Sequence, residues 1–158
     1  MIRPATVDDI KSIYDMMFNY YREAVEKTGY NYFTWSEEKA VIYLGNVLWN
    51  KDGLNFISEN REGMIIGSIG ETWFGENKMA KPAALYVKPE HRNGLLARAL
   101  LRRFEKEAKA RGAIAILWEF EIGLSDSRMV GGLMENLGYE YQGPIYKKMF
   151  GGNQSCRQ

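Results

Sequence analysis

Apolar positions along the chain switch between two periods, and the switches mark its elements. After a short opening strand at Ile2–Pro4, Ile10, Ile13, Tyr14, Met17 and Tyr21 recur at helical spacing. Thr6 stands as the N-cap of that helix, and Asp9 is placed to reach back to it in a capping box. Gly29 ends the unit. "YNYFTW" (Tyr30–Trp35) reads as an aromatic loop, and Ser36 caps a second helix in which Ala40, Val41, Leu44, Val47 and Leu48 share one face. Asp52-Gly53 is a turn. "LNFISEN" and "GMIIGSIGETWF" then form a β-hairpin across Asn60–Gly63, and "AALYV" (Ala83–Val87) adds a third strand that stops before Pro89.

A long amphipathic helix follows from about Leu95 to Arg111 and is closed by Gly112. "AIAILWEF" is a continuous apolar run, which predicts a central strand buried on both faces. A shorter helix spans about Ser127–Leu137, stopping at Gly138, and "YEYQG" and "IYKKMF" finish as strands. The order β-α-α-β-β-β-α-β-α-β-β predicts an α/β fold, a mixed central sheet flanked by helices on both faces. Residues 1–150 are expected to form one domain and 151–158 a polar, flexible tail. The crossover from Val87 to Ala113 is expected to be parallel. Its first turn then lies at the carboxyl end of a strand, where sheets of this class bind ligands.

Composition narrows the function. With 21 Lys+Arg against 20 Asp+Glu, nothing global draws the chain to nucleic acid or to an anionic membrane. The single cysteine, Cys156, excludes an intrachain disulfide, so a cytoplasmic setting is expected. One histidine and no Cys/His cluster leave no expectation of a metal, and no apolar run approaches the length of a membrane span. Any anion site must be local. The stretch "VKPEHRNGLLARALLRRFEKEAKARG" (Val87–Gly112) offers one: a buried strand, a proline turn, and a helix start with arginines at 92 and 98. The main-chain N–H groups of Asn93, Gly94, Leu95, Leu96 and Ala97 would face an anion there. Arg102 and Arg103 read as a solvated helix face.

At this junction the chain resembles the GNAT superfamily of acyl-CoA-dependent N-acyltransferases. "RNGLLA" is similar to the family's Arg/Gln-x-x-Gly-x-Gly/Ala segment, with Arg92 first and Ala97 last, and "MENLGYE" (Met134–Glu140) is similar to its "YEKLGF". The family's middle glycine falls at Leu95, while Gly94 stands one position early. The resemblance implies acetyl-CoA as co-substrate, its pyrophosphate held by the main chain at 93–97 and by Arg92 and Arg98. It further implies that Leu85, Tyr86 and Val87 lie beside the pantetheine arm, with an N–H of that strand, that of Val87, polarising the thioester carbonyl. Ser125 stands where the family contacts the arm. The family's proton-donating tyrosine position holds Met134, a thioether with no proton to give. Tyr139 and Tyr141, with Tyr146 and water, are the alternatives.

A base is needed to deprotonate the acceptor amine, and Glu71 and Glu119 are candidates near the ends of apolar strands. Tyr21, Tyr30, Phe33 and Trp73 are candidates for an aromatic acceptor pocket, suited to an apolar or cationic amine. Two functions compete at this stage. One is N-acetyl transfer from acetyl-CoA to a primary amine of a small molecule or a protein, by direct attack in a ternary complex. The other is a GNAT-like fold without turnover, serving as a CoA-binding, structural or virion-associated protein. The family's frequent homodimers make a dimer an expectation too.

Overall fold

A computed structural model describes residues 1–28, 34–72, 74–92, 94–118 and 127–141, without the side chains of 27, 28 and 127–131. Two compact units divide the chain: Met1–Tyr20 with Ser36–Glu119, and Tyr21–Trp35 with Phe120–Gln158.

The first unit holds the sheet. Strands β1 (Ile2–Pro4), β2 (Phe56–Ser58), β3 (Gly63–Thr72), β4 (Gly75–Val87) and β5 (Ala113–Ile116) lie in that spatial order. The first three junctions are antiparallel and β4–β5 is parallel. Helices α1 (Ile10–Thr28) and α2 (Glu37–Trp49) precede β2, and α3 (Leu95–Ala110) joins β4 to β5. The mixed α/β sheet with helices on both faces is the architecture expected from the sequence.

Strand alternation assigns the faces. Ile57, Met64, Ile66, Ala84 and Tyr86 form a buried cluster with Ile13 and Met16 of α1 and Leu44 of α2, with Val47 and Leu48 packed on it. Gly63 and Gly67 have the opposite parity. A side chain at either would strike α3, at Leu96 and Leu100 for Gly63 and at Phe104 for Gly67. The β2–β3 connection is organised by buried Ser58, whose Oγ accepts the N–H groups of Glu62 (2.8 Å) and Gly63 (3.1 Å).

The capping box at α1 is more than a cap. Asp9 Oδ2 accepts from the Thr6 N–H at 3.0 Å and from its hydroxyl at 3.1 Å. The same carboxylate takes two N–H groups of Arg3, at 2.6 and 2.8 Å, and Arg61 Nε at 3.0 Å. Asp9 is fully buried, and chiefly the Arg3 guanidinium holds its carboxyl well below the usual carboxylate range. β1, the α1 start and the β2–β3 turn therefore share one ion cluster.

Three expectations change. β4 begins at Gly75, eight residues before the predicted Ala83, because "GENKMAK" is mostly exposed and carries no apolar face to betray it. β5 is not a strand buried on both faces: Ile114 is 67% exposed, and among the described strands β5 ends the sheet. Its apolar run marks a strand without saying how deep it lies. Val41 is exposed as well, since the buried stripe of α2 runs through Leu44, Val47 and Leu48.

In the second unit, α4 (Ser127–Asn136) ends in a Schellman motif: Tyr139 N–H reaches the Met134 carbonyl (3.0 Å) and Gly138 N–H that of Glu135 (2.9 Å). Gly138 sits at φ 85°, which explains the glycine of "LGY". Of the expected strand "YEYQG" (Tyr139–Gly143), the described residues 139–141 carry no strand, and its end, the strand "IYKKMF" and the tail at 151–158 lie outside the described residues. No helix among the described residues is long and apolar enough to cross a membrane.

Candidate active site

The site is built on a parting of two parallel strands. β5 follows β4 from Lys78↔Ala113 to Ala80↔Ile116, and Leu117 N–H makes a further rung to the Ala80 carbonyl at 2.9 Å. The next β4 residue with its main chain turned that way is Pro82, which has no N–H to continue a ladder. Beside it the β3–β4 register slips: Ile66 faces Ala84 while Gly67 faces Pro82, leaving Ala83 as an extra residue, a β-bulge. Gly67 is forced by this kink. A Cβ there would stand 2.5 Å from the Lys81 carbonyl oxygen and 2.8 Å from Pro82 Cα, both backbone atoms.

Past the bulge, the Lys88 N–H bond to the Glu62 carbonyl (2.8 Å) fixes the alternation. Residues 84 and 86 face β3, so the N–H and C=O of Leu85 and Val87 point to the side where β4 has no strand neighbour among the described residues. Among the described residues, this edge of β4 forms one wall of a cleft, with main-chain donors and acceptors turned into it.

The turn to α3 closes the mouth of this cleft. Pro89–His91 forms a single 3₁₀ turn, and Gly94 takes φ 82° as N-cap before the helix begins at Leu95. Among the described residues nothing stands within 4 Å of a Cβ at 94, so glycine is there for its backbone conformation. The first α3 bond is Arg98 N–H to the Gly94 carbonyl at 3.2 Å, so the amides of the first turn lie ahead of the intrahelical ladder. Leu95, in the family's glycine position, is 71% exposed.

Other expected residues are distributed unevenly. Tyr86 is buried in the core cluster, its ring 6.4 Å from that of Tyr20 in a T-shaped pair. Arg92 folds back onto β4, donating Nε–H to the Val87 carbonyl (2.7 Å) with its guanidinium 5.2 Å from the Tyr86 ring centre. Arg103 is not simply solvated: it covers the Phe56 ring and pairs with Glu107 at 3.5 Å. Glu71 pairs in register with Lys78, seven residues before Leu85 and so roughly 23 Å along the strand. There it lines a separate cleft of about 530 Å³ with Lys51, Asp52, Lys78 and Arg111. The structure does not bring Glu71 to the open edge of β4.

In the second unit, Met134 is buried, Tyr141 is exposed, and Tyr21 stacks on Trp35 at 5.3 Å. Glu119, Ser125, Tyr30, Phe33, Trp73 and Asn93 lie outside the described residues. The bulge, with Gly67 and Pro82, escaped the sequence reading. Its signal was present: a proline two residues past the last rung of a strand paired on both sides.

The sequence profile of the acetyltransferase (GNAT) family matches residues 10–139. The chain belongs to the GNAT family. No curated protein matches this GNAT sequence. Solved structures share its fold. A mutant form of a Bacillus halodurans protein superposes with a TM-score of 0.77 at 16% identity, covering 95% of this chain and 99% of that one. The aminoglycoside antibiotic 6′-N-acetyltransferase AAC(6′)-Ig of Acinetobacter haemolyticus gives 0.69 at 18% identity, over 97% and 99%. AAC(6′)-Iy, in complex with the bisubstrate analogue CoA-S-monomethyl-acetylneamine, gives 0.70 at 12%, over 95% and 98%. Acetyl-CoA is the co-substrate of the GNAT family. The residues present fit it: an extended arm matches the edge at Leu85–Val87, which has no strand neighbour among the described residues, and a diphosphate matches the helix start that follows Gly94.

Proposed function

We propose that this GNAT chain is an N-acetyltransferase that moves an acetyl group from acetyl-CoA to a primary amine of a small molecule by direct attack in a ternary complex. The observation carrying the reading is that, among the described residues, β4–β5 pairing ends before Pro82, next to a helix start that opens with a left-handed glycine. When bound, acetyl-CoA supplies an acetyl thioester already activated for attack by an amine.

The chain's own residues do the rest. The main chain from Asn93 to Ala97, with Arg98, holds the diphosphate. The Leu85–Val87 edge, with Ser125, orients the arm, and an N–H of that edge, that of Val87 or of Leu85, is aimed at the thioester carbonyl. Such a preorganised donor contributes typically about 3 kcal/mol to the barrier. Glu119 follows Leu117, the last rung of β5, by two residues and is the base that takes the amine proton; Glu71 is the weaker choice because of its distance. Tyr139, before Tyr141, is the donor to the departing thiolate, since Met134 cannot serve. Tyr21, Tyr30, Phe33 and Trp73 are the residues proposed for the acceptor amine.

The names of the aminoglycoside acetyltransferases of the same fold support a small-molecule amine as acceptor over a protein one. Residues 1–150 act as one GNAT domain in the cytoplasm. A second reading, CoA binding without turnover in a structural or virion-associated role, is favoured by buried Met134 at the tyrosine position.

One experiment separates them. Acetyl-CoA at 100 times its Kd should stabilise the protein by about 2.7 kcal/mol, read as a rise in melting temperature. Thiol release with a panel of amines should accompany it, and Glu119→Gln should lower kcat. Stabilisation without thiol release on any amine selects the second reading. No stabilisation at millimolar acetyl-CoA removes both.

A further inference from the structure

Arg92 stands at the first position of the phosphate-binding segment, yet its side chain is engaged with β4. Its Nε–H lies 2.7 Å from the Val87 carbonyl, and its guanidinium carbon is 5.2 Å from the centre of the Tyr86 ring. Both of these contacts are with β4. The Val87 carbonyl points to the side on which β4 has no strand neighbour among the described residues, and the guanidinium fills a hydrogen-bonding place on that side. The platform beneath it is packed into the core. Tyr86 is buried and held edge-on by Tyr20, 6.4 Å away at 87°.

We infer that Arg92 is a positioning residue for the pantetheine arm and not a ligand of the diphosphate. It ties the turn between β4 and α3 to the end of the strand, takes the Val87 acceptor for itself, and leaves Leu85 as the first main-chain pair open to the arm. Turning to a diphosphate would break the charge-assisted bond and the ring contact and strand a carbonyl in the cleft wall. The diphosphate meanwhile has the helix-start amides and Arg98. A lysine cannot replace the strap, because it has no planar Nε–H group to bond sideways while the head lies on a ring.

The inference rests on the acetyl-CoA reading, and its test keeps the two apart. Arg92→Lys and Arg92→Ala are titrated by calorimetry with CoA, which carries the arm, and with 3′-phospho-ADP, which carries the same diphosphate without it. Both variants are expected to weaken CoA about tenfold and to leave 3′-phospho-ADP within about twofold. In the wild type, the Arg92 Nε–H resonance should keep its position when 3′-phospho-ADP is added, a readout that needs no variant to fold. Equal losses for the two ligands, a lysine variant that behaves as wild type, or a large shift of that resonance would each overturn the inference, as would unchanged CoA affinity. A wild type that binds neither ligand removes the acetyl-CoA reading, and the inference with it.

Discussion

Asp9 is charged and fully buried because Arg3, Thr6 and Arg61 between them surround its two oxygens with donors. Arg61 adopts φ 56° in the β2–β3 turn to do so, a conformation that costs an L-residue about 1–2 kcal/mol. Asp9→Asn keeps the shape and removes the charge, so urea unfolding should show a loss of about 2–3 kcal/mol at neutral pH. The folded carboxyl titrates below the unfolded one, whose pKa is about 3.9. Its stabilisation is therefore complete above that value and declines as pH falls towards the folded value. The difference between wild type and Asp9→Asn should be constant from pH 7 to about 5 and shrink below about pH 4. A difference that grows on acidification would contradict this. The pair Thr6–Asp9 was readable from spacing alone. Arg61 was not, because a contact across 52 residues leaves no local pattern.

On either side of β4, in β3 and at the start of α3, two glycines with different duties give opposite substitution signatures. Gly94→Ala meets open space and bears only the cost of a left-handed backbone, about 1 kcal/mol. Gly67→Ala drives a methyl into backbone at Lys81 and Pro82, which cannot yield as a side chain can, and should cost about 3 kcal/mol and straighten the bulge. Denaturant melts of the two variants check the order. The straightening itself appears as weaker CoA binding by Gly67→Ala. Helices were legible at this scale because their caps and closing glycines are local: Thr6, Ser36, Gly112 and Gly138 all stand where the pattern put them. The first half of β4 was not. Its residues are exposed on both faces, and pairing to β3 holds them without any apolar alternation.

For the molecule as a whole, order and family were written in the sequence of periods and in two short segments, whereas the cleft was not, since it arises where two strands stop pairing. Native-state amide exchange should therefore be slowest at Met64–Ile66 and Ala84, in the buried cluster, and faster at Leu85, which should gain protection once CoA is bound. Unchanged exchange at Leu85 in saturating CoA would place the arm elsewhere. The kink in β4 also constrains how this fold mixes with its relatives. The missing side chain at 67 and the missing amide hydrogen at 82 sit across a hairpin whose tip is at 72–75, so any crossover at that tip separates them. Chimaeras exchanged there would set a foreign residue against the carbonyl of Lys81, while crossovers outside 67–82 inherit the two together, and a recombination library should return folded members mainly from the second kind.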